Sequence, residues 1–155
     1  VWCDGMEITQ YTYFQQVGGI LCDPVPVELT YGLERIACII QDIDSHFDIN
    51  WNGKDGAERI TYRDVFLRSE KEFSAYNFEH ADVDNLKRNF NEAETQCKFL
   101  VEKNLVLPAY EQCLKANHLF NMLNARGAIS VTQRADYMGR VRFMTKTCCE
   151  AWLEG

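Results

Sequence analysis

Proline and histidine are scarce in this chain, with three of each in 155 residues. Pro24 and Pro26 stand close together and hold Asp23 and Val25 extended. Pro108 suits the first turn of a helix, so little else in the chain opposes helix formation. His46, His80 and His118 are scattered, which gives nucleophile–base chemistry little support. His118 falls within a helical pattern, where a hydrogen-bonded structural role is the commoner one. No C-x-x-C pair occurs among the seven cysteines, Cys3, Cys22, Cys38, Cys97, Cys113, Cys148 and Cys149. Their odd number and irregular spacing argue against a zinc site or a disulfide framework. Several take apolar positions in helical patterns, where a free thiol acts as a small hydrophobe, and this suits a reducing cytoplasm. No apolar run approaches the roughly 18 residues needed to span a membrane, and no signal peptide is visible. The chain opens at Val1-Trp2-Cys3 without a start methionine, and is read as part of a longer polypeptide. Positive charge is also in short supply: 16 Lys and Arg face 23 Asp and Glu, for a net charge of −7. That argues against a general nucleic-acid surface, although a local patch or a partner subunit could still meet one. Asp42, Asp44 and Asp48 lack the later glycine and glutamate of a calcium loop and read as a solvated acidic loop. No metal ligands are assigned.

What is present is globular: 46% of residues are hydrophobic and 25% charged, in a length that fits one ordinary domain or two small packed units. The first third reads as strands joined by turns. Asp4-Gly5 and Gly18-Gly19 are turn signals. Residues 6–17 are rich in β-branched and aromatic side chains without helical period. As one regular strand they would put Glu7, Thr9, Tyr11, Tyr13 and Gln15 on one face and Ile8, Gln10, Thr12 and Phe14 on the other. Such mixed faces fit either a polar cleft or a half-solvated outer strand. With Ile20 to Cys22, the strands suggest an antiparallel meander. Phe47, Ile49 and Trp51 alternate, as in a short strand or a packing flap, and a soft boundary falls near Gly53 to Gly56. The remainder is helical. Thr61-x-x-Asp64 resembles a capping box, followed by Tyr62, Val65, Phe66, Ser69, Phe73 and Tyr76 at helical spacing. Asp82 caps a helix with Val83, Leu86, Phe90, Cys97, Leu100 and Val101 inward and a Glu94–Lys98 i,i+4 pair. A third helix turns Cys113, Ala116, Phe120 and Leu123 inward and ends at Gly127. Ser130-x-x-Gln133 opens the last, with Val131, Ala135, Met138, Val141, Thr145, Cys148 and Trp152 along it. Arg134, Arg140, Arg142 and Lys146 make that helix locally basic, a solvent face or interface by default. Helices with short connections suggest a bundle packed on the sheet.

The sharpest local signal lies between Glu28 and Ile40. A β segment runs into a helix with Leu33, Ile36, Ala37, Ile40 and Ile43 at helical spacing. Thr30 is placed to cap it, and Gly32 leaves room for a group to approach the backbone. Arg35 stands near the helix start, where the dipole disfavours a cation by about 0.3–1 kcal/mol. It would either pair with a carboxylate such as Glu28 or hold an anion, as helix N-termini do.

Gly32-Leu33-Glu34-Arg35, after a strand and before an apolar helix, resembles motif 3 of the class II aminoacyl-tRNA synthetases. A longer likeness carries more weight. Residues 2–19 (WCDGMEITQYTYFQQVGG), 76–84 (YNFEHADVD), 107–111 (LPAYE) and 125–132 (ARGAISVT) are similar to the α-subunit family of bacterial heterotetrameric glycyl-tRNA synthetases. The similarity covers almost the whole chain, with Asp4 standing where that family usually has asparagine.

The resemblance implies an α+β fold: part of an antiparallel class II catalytic sheet, including motif 3, over residues 1–57, and an α-helical bundle domain over 58–155. It implies glycine–tRNA ligase chemistry, in which glycine and ATP give glycyl-adenylate and pyrophosphate and glycine then passes to tRNA-Gly. Arg35 would bind ATP, with Glu34 orienting it or the neighbouring strands. Glu28, Thr30 and Gly32 complete the expected ATP-binding set, and Glu7, Thr9 and Gln10 the expected amino-acid pocket, in which close walls exclude a side chain. Magnesium is expected on the ATP phosphates. The expected partners are a β subunit, which would carry most of the tRNA recognition, and a second α chain within an α2β2 tetramer in the cytoplasm. Motifs 1 and 2 are expected upstream of Val1, so this chain alone should not activate glycine. The alternative is a non-catalytic helical interaction module derived from a synthetase.

Overall fold

Tight turns shape the first third of the molecule. β1 (Trp2–Cys3) and β2 (Met6–Glu7) pair antiparallel across Asp4-Gly5, both at positive φ. A left-handed residue in such a turn is tolerated by aspartate as by asparagine, which accounts for Asp4. The expected single strand over residues 6–17 is broken into three: β2, β3 (Thr9–Tyr13) and β4 (Gln16–Val17). β4 forms a hairpin with β5 (Ile20–Leu21). β3 pairs instead with β6 (Val27–Tyr31). The expected meander is thus a nested arrangement, with the β4–β5 hairpin inserted between the two strands of the longer ladder. Gly18 and Gly19, both at positive φ, make the turn between β4 and β5.

This computed structural model describes every residue, Val1–Gly155, and the fold is α+β, as the sequence implies. The chain forms two compact units, one of Val1–Gln15 with Asp23–Ser74, the other of Gln16–Cys22 with Ala75–Gly155.

In the first unit α1 (Leu33–Gln41) follows β6 directly. Thr30 does not cap it. The N-cap is Gly32, without a side-chain bond, because Thr30 still lies within β6 and its hydroxyl donates to the Glu28 carboxylate. Nor does α1 bury all the apolar residues at its helical spacing: Cys38 is buried, whereas Leu33 and Ile40 are exposed. Phe47 lies in a short 3-10 turn, His46–Asp48, rather than a strand, and one bridge, Asn50 to Thr61, follows. Trp51, Tyr62 and Phe66 form an aromatic cluster, with Trp51 and Phe66 edge-on at 5.1 Å between centroids. α2 (Tyr62–Ala75) opens on the Thr61–Asp64 box, in which the Asp64 carboxylate accepts from the Thr61 N–H at 2.8 Å and from its hydroxyl at 2.7 Å. No residue of α2 is fully buried, and Val65 and Phe73 are exposed.

The second unit holds the core. α3 (Val83–Glu102), α4 (Val106–Ala125) and α5 (Val131–Glu154) pack together, α4 against both neighbours. A one-turn π-helix, Tyr76–His80, precedes them. Asp82 and Ser130 cap α3 and α5 as their sequences predict, Ser130 in a full capping box with Gln133. Leu86, Phe90 and Cys97 on α3 are buried with Cys113, Ala116, Phe120 and Leu123 on α4. On α5 Cys148 is buried as expected and Met138 and Val141 pack against the core, but Tyr137 and Met144 are also buried while Val131 and Trp152 are exposed, so the buried face is broader than the expected stripe and shifted from it at both ends. The Sγ atoms of Cys97 and Cys148 lie 3.7 Å apart. Burial pushes the Cys97 thiol up to about 12, which keeps it a neutral hydrophobe.

Of the two settings expected for the basic residues of α5, a solvent face or an interface, Arg140 takes a contact with α3. Its Nε donates to Glu94 Oε2 at 2.9 Å and its Nη2 to Asn91 Oδ1 at 2.7 Å, and its guanidinium lies 4.4 Å from the Phe90 ring centroid. Glu94 also receives Lys98 at 2.9 Å, its expected partner. Burial alone would raise the Glu94 carboxyl, but the hydrogen bonds and charges of Arg140 and Lys98 outweigh it and hold the group below its ordinary range. The flat guanidinium satisfies the carboxylate while stacking on an aromatic face, which an ammonium does less well.

Candidate active site

The β3–β6 register decides which sequence-predicted residues meet. Gln10 lies opposite Thr30, and Thr12 opposite Glu28. Residues directly opposite in an antiparallel pair share a face, as do residues two apart on one strand. One face of the ladder is therefore polar: Gln10, Thr12, Glu28 and Thr30. The other carries Thr9, Tyr11, Tyr13, Val27, Leu29 and Tyr31. Gln10 is thus brought to the same face as Glu28 and Thr30, and Thr9 is turned to the opposite one. Thr12 was not singled out from the sequence. Strict alternation from Gln10 would have found it once β3 was known to pair with β6.

On the polar face the Thr30 hydroxyl donates to Glu28. This holds the carboxylate by a neighbour two residues along the same strand and leaves its second oxygen able to accept another donor.

At the end of the ladder the chain turns into α1. The Gly32 N–H donates to the Ile8 carbonyl at 2.8 Å. A Cβ at Gly32 would sit 3.3 Å from that same oxygen, so a side chain would strain the closure between β6 and the segment before β3. Arg35 lies one turn into α1 and is exposed. Its Nη1 donates to the Glu7 carbonyl at 2.9 Å. That bond ties α1 to β2 and orients the guanidinium. The alternative ion pair with Glu28 is not formed; the Arg35 guanidinium goes to the Glu7 carbonyl instead. Arg35 enters no salt bridge in the structure. A guanidinium has five N–H donors in a fixed fork, and those not aimed at Glu7 suit a phosphate.

Glu34 is exposed in the first turn of α1, where a carboxylate is favoured by the dipole. It makes no side-chain hydrogen bond to Arg35. It adds to the effect of burial in raising the Cys38 thiol. Glu7 is half-buried, and its contribution to the geometry is its backbone carbonyl. The first unit thus carries one exposed guanidinium oriented by a backbone carbonyl and one polar strand face.

The sequence model of the glycyl-tRNA synthetase alpha subunit family matches residues 1–155. A glycine–tRNA ligase alpha subunit of Rickettsia typhi (strain ATCC VR-144 / Wilmington) is 54% identical over 154 residues, covering 99% of this chain and 53% of that protein. Those of Rickettsia bellii (strain OSU 85-389) and Rickettsia canadensis (strain McKiel) are each 53% identical over 154 residues, covering 99% of this chain and 53% and 54% of the respective proteins. The chain spans about half the length of the curated relatives it matches. With the family model matched from end to end, the chain belongs to the glycyl-tRNA synthetase alpha subunit family.

Proposed function

We propose that this chain is part of a glycine–tRNA ligase α subunit and supplies one wall of the site that activates glycine with ATP. The observation that carries this reading is the Arg35 guanidinium, oriented by the Glu7 carbonyl and without a carboxylate partner. In the reaction, the glycine carboxylate attacks the α-phosphorus of ATP, pyrophosphate leaves, and the adenylate then yields glycine to tRNA-Gly. Charge builds on phosphate oxygens as the bond breaks, and a guanidinium already fixed in place stabilises it without reorganising.

Arg35 and Glu34 act at the catalytic end, with Glu28, Thr30 and Gly32 beside the nucleotide and Glu7 and Gln10 toward the amino acid. The shared face supports Gln10 in that role more directly than Thr9, which would contribute through the strand. Magnesium accompanies the ATP phosphates. Residues 1–57 belong to the catalytic domain and 58–155 to a helical domain, an assignment by motif content. The complete enzyme pairs this α chain with a second copy and with β subunits that carry most of the tRNA contact, and it works in the cytoplasm. No helix is long and apolar enough to cross a membrane.

The test is glycine-dependent ATP–pyrophosphate exchange in an α chain extended to the family's length and assembled with its β partner. Arg35→Ala should lower exchange by about 10²–10³-fold, the scale for removing one fixed donor to developing charge, with the circular dichroism spectrum retained. Unchanged exchange would remove Arg35 from the site. Exchange by the 155-residue chain on its own would overturn the reading that it supplies only one wall.

A further inference from the structure

Two thiols meet in the helical core. Cys97 lies on α3 and Cys148 on α5, 51 residues apart in sequence, with their Sγ atoms at 3.7 Å. They are 1% and 3% exposed, and both are free thiols. Cys113, the third buried thiol of this unit, is engaged differently. Its Sγ lies 3.3 Å from Thr145 Oγ1 and 3.9 Å from the Val141 carbonyl oxygen, both on α5. An S–S bond is about 2.05 Å long, so the sulfurs of Cys97 and Cys148 need to close by roughly 1.7 Å. Packed helices shift against one another over about 1–2 Å, and rotation about each Cα–Cβ bond adds to that.

The folded pair is protected. A thiolate is the species that attacks an oxidant, and burial raises both thiols above their ordinary range. An oxidant therefore meets them when α5 lifts from α3. Glu94 on α3 and Arg140 on α5 make a charged link across that same interface, so its strength helps to set how often the lifting occurs.

We propose that Cys97 and Cys148 are a latent redox pair, closed to a disulfide by hydroperoxides that reach it when α5 lifts, after which the bond staples α5 to α3. One sulfur attacks the peroxide, takes one oxygen and becomes a sulfenic acid, with water leaving when the oxidant is hydrogen peroxide. The second sulfur attacks the first, forms the S–S bond and expels a second water. The two cysteines together lose two protons and two electrons, and the peroxide is reduced to two waters. The inference lies within the helical unit and is independent of the functional reading above.

The test uses the 155-residue chain with Cys3, Cys22 and Cys149 replaced by alanine, which leaves the four buried thiols Cys38, Cys97, Cys113 and Cys148. After exposure to hydrogen peroxide its mass should fall by two hydrogens, and peptide mapping should join Cys97 to Cys148. Dithiothreitol should reverse both. The oxidised form should unfold in urea about tenfold more slowly or better, because the crosslink closes a long loop. Cys97→Ala and Cys148→Ala should each abolish the linked species, whereas Cys113→Ala should leave it. Glu94→Gln loosens the α3–α5 contact and should speed closure by about tenfold or more, as expected when a local opening becomes easier. Arg140→Lys keeps the charge but loses the fork, and should speed closure by less. No reaction, a link from either cysteine to Cys113, addition of oxygen without a link, or equal closure rates in the parent and both interface variants overturns the proposal.

Discussion

Helix α4 and the β3–β6 ladder are both rich in apolar side chains, and they treat them in opposite ways. On α4, Ala109, Cys113, Ala116, Leu119, Phe120, Met122 and Leu123 are all buried. On the ladder, Tyr11, Tyr13, Val27, Leu29 and Tyr31 each remain between 51% and 61% exposed. In the first unit only Cys38 and Ile49 are buried. The difference is one of geometry. A helix between two others covers most of its circumference with close neighbours. A two-stranded ladder has two faces and two outer edges, and pairing covers neither face. The helical unit therefore builds a core from its own sequence, whereas the strand unit leaves the apolar side chains of its ladder largely open to solvent.

The comparison can be broken most directly at its centre. Phe90→Ala removes a fully buried ring that meets Tyr137 edge-on at 4.7 Å and supports the Arg140 guanidinium. It should cost about 3–5 kcal/mol of unfolding free energy, read from urea titration of the 155-residue chain. A loss near zero would mean that the helical unit is not the source of stability.

Glu94→Gln comes next. It leaves Arg140 half-buried without its carboxylate and should cost about 2–3 kcal/mol. The pH dependence has a definite sign. Because the folded-state carboxyl is held below its ordinary range, its contribution is present above the unfolded value and is lost as pH falls through the folded one. Acid titration of stability should therefore be shallower in the glutamine variant than in the parent.

Ser130→Ala removes one half of the α5 capping box and should lower stability by about 1 kcal/mol. The smallest effect sharpens the contrast from the other side. Tyr11→Ala, on the exposed ladder face, should change unfolding free energy by no more than about 0.5 kcal/mol. A larger loss would show that this face contributes to folding despite its exposure.

The legibility of the sequence follows the same division. The α3 and α4 cores were readable because helical period alone selects Leu86, Phe90, Cys97, Cys113, Ala116, Phe120 and Leu123, and the caps at Asp82 and Ser130 are local chemistry. α5 was less readable: its many half-apolar positions leave the phase of the buried stripe to be set by α3 and α4. The partner of Arg140 was not readable, because Glu94 lies 46 residues away, beyond any local rule. In the strand region, the turns were legible from Asp4-Gly5 and Gly18-Gly19. The pairing of β3 with β6 across an inserted hairpin was not, and that pairing alone places Gln10 with Glu28 and Thr30 and separates Thr9 from them. Arg35 stands out in the sequence through the conflict between its charge and the helix dipole, but the backbone carbonyl that holds it leaves no mark there.

The double engagement of Glu94 also bears on the order in which the helices assemble. Its bond to Lys98 is made within one helix, and α3 meets α4 across a turn of three residues, Lys103 to Leu105. Contacts between near neighbours in sequence form quickly, and distant ones wait for the chain to close a longer loop. The α3–α4 pair would then form with the carboxylate already steadied, and α5 would dock onto it late, bringing Arg140 to a waiting partner. An interaction made after the rate-limiting step governs escape from the native state more than entry to it. Glu94→Gln should accordingly accelerate unfolding in stopped-flow experiments while leaving the refolding rate almost unchanged, so that one carboxylate acts as the latch on the lifetime of the folded bundle.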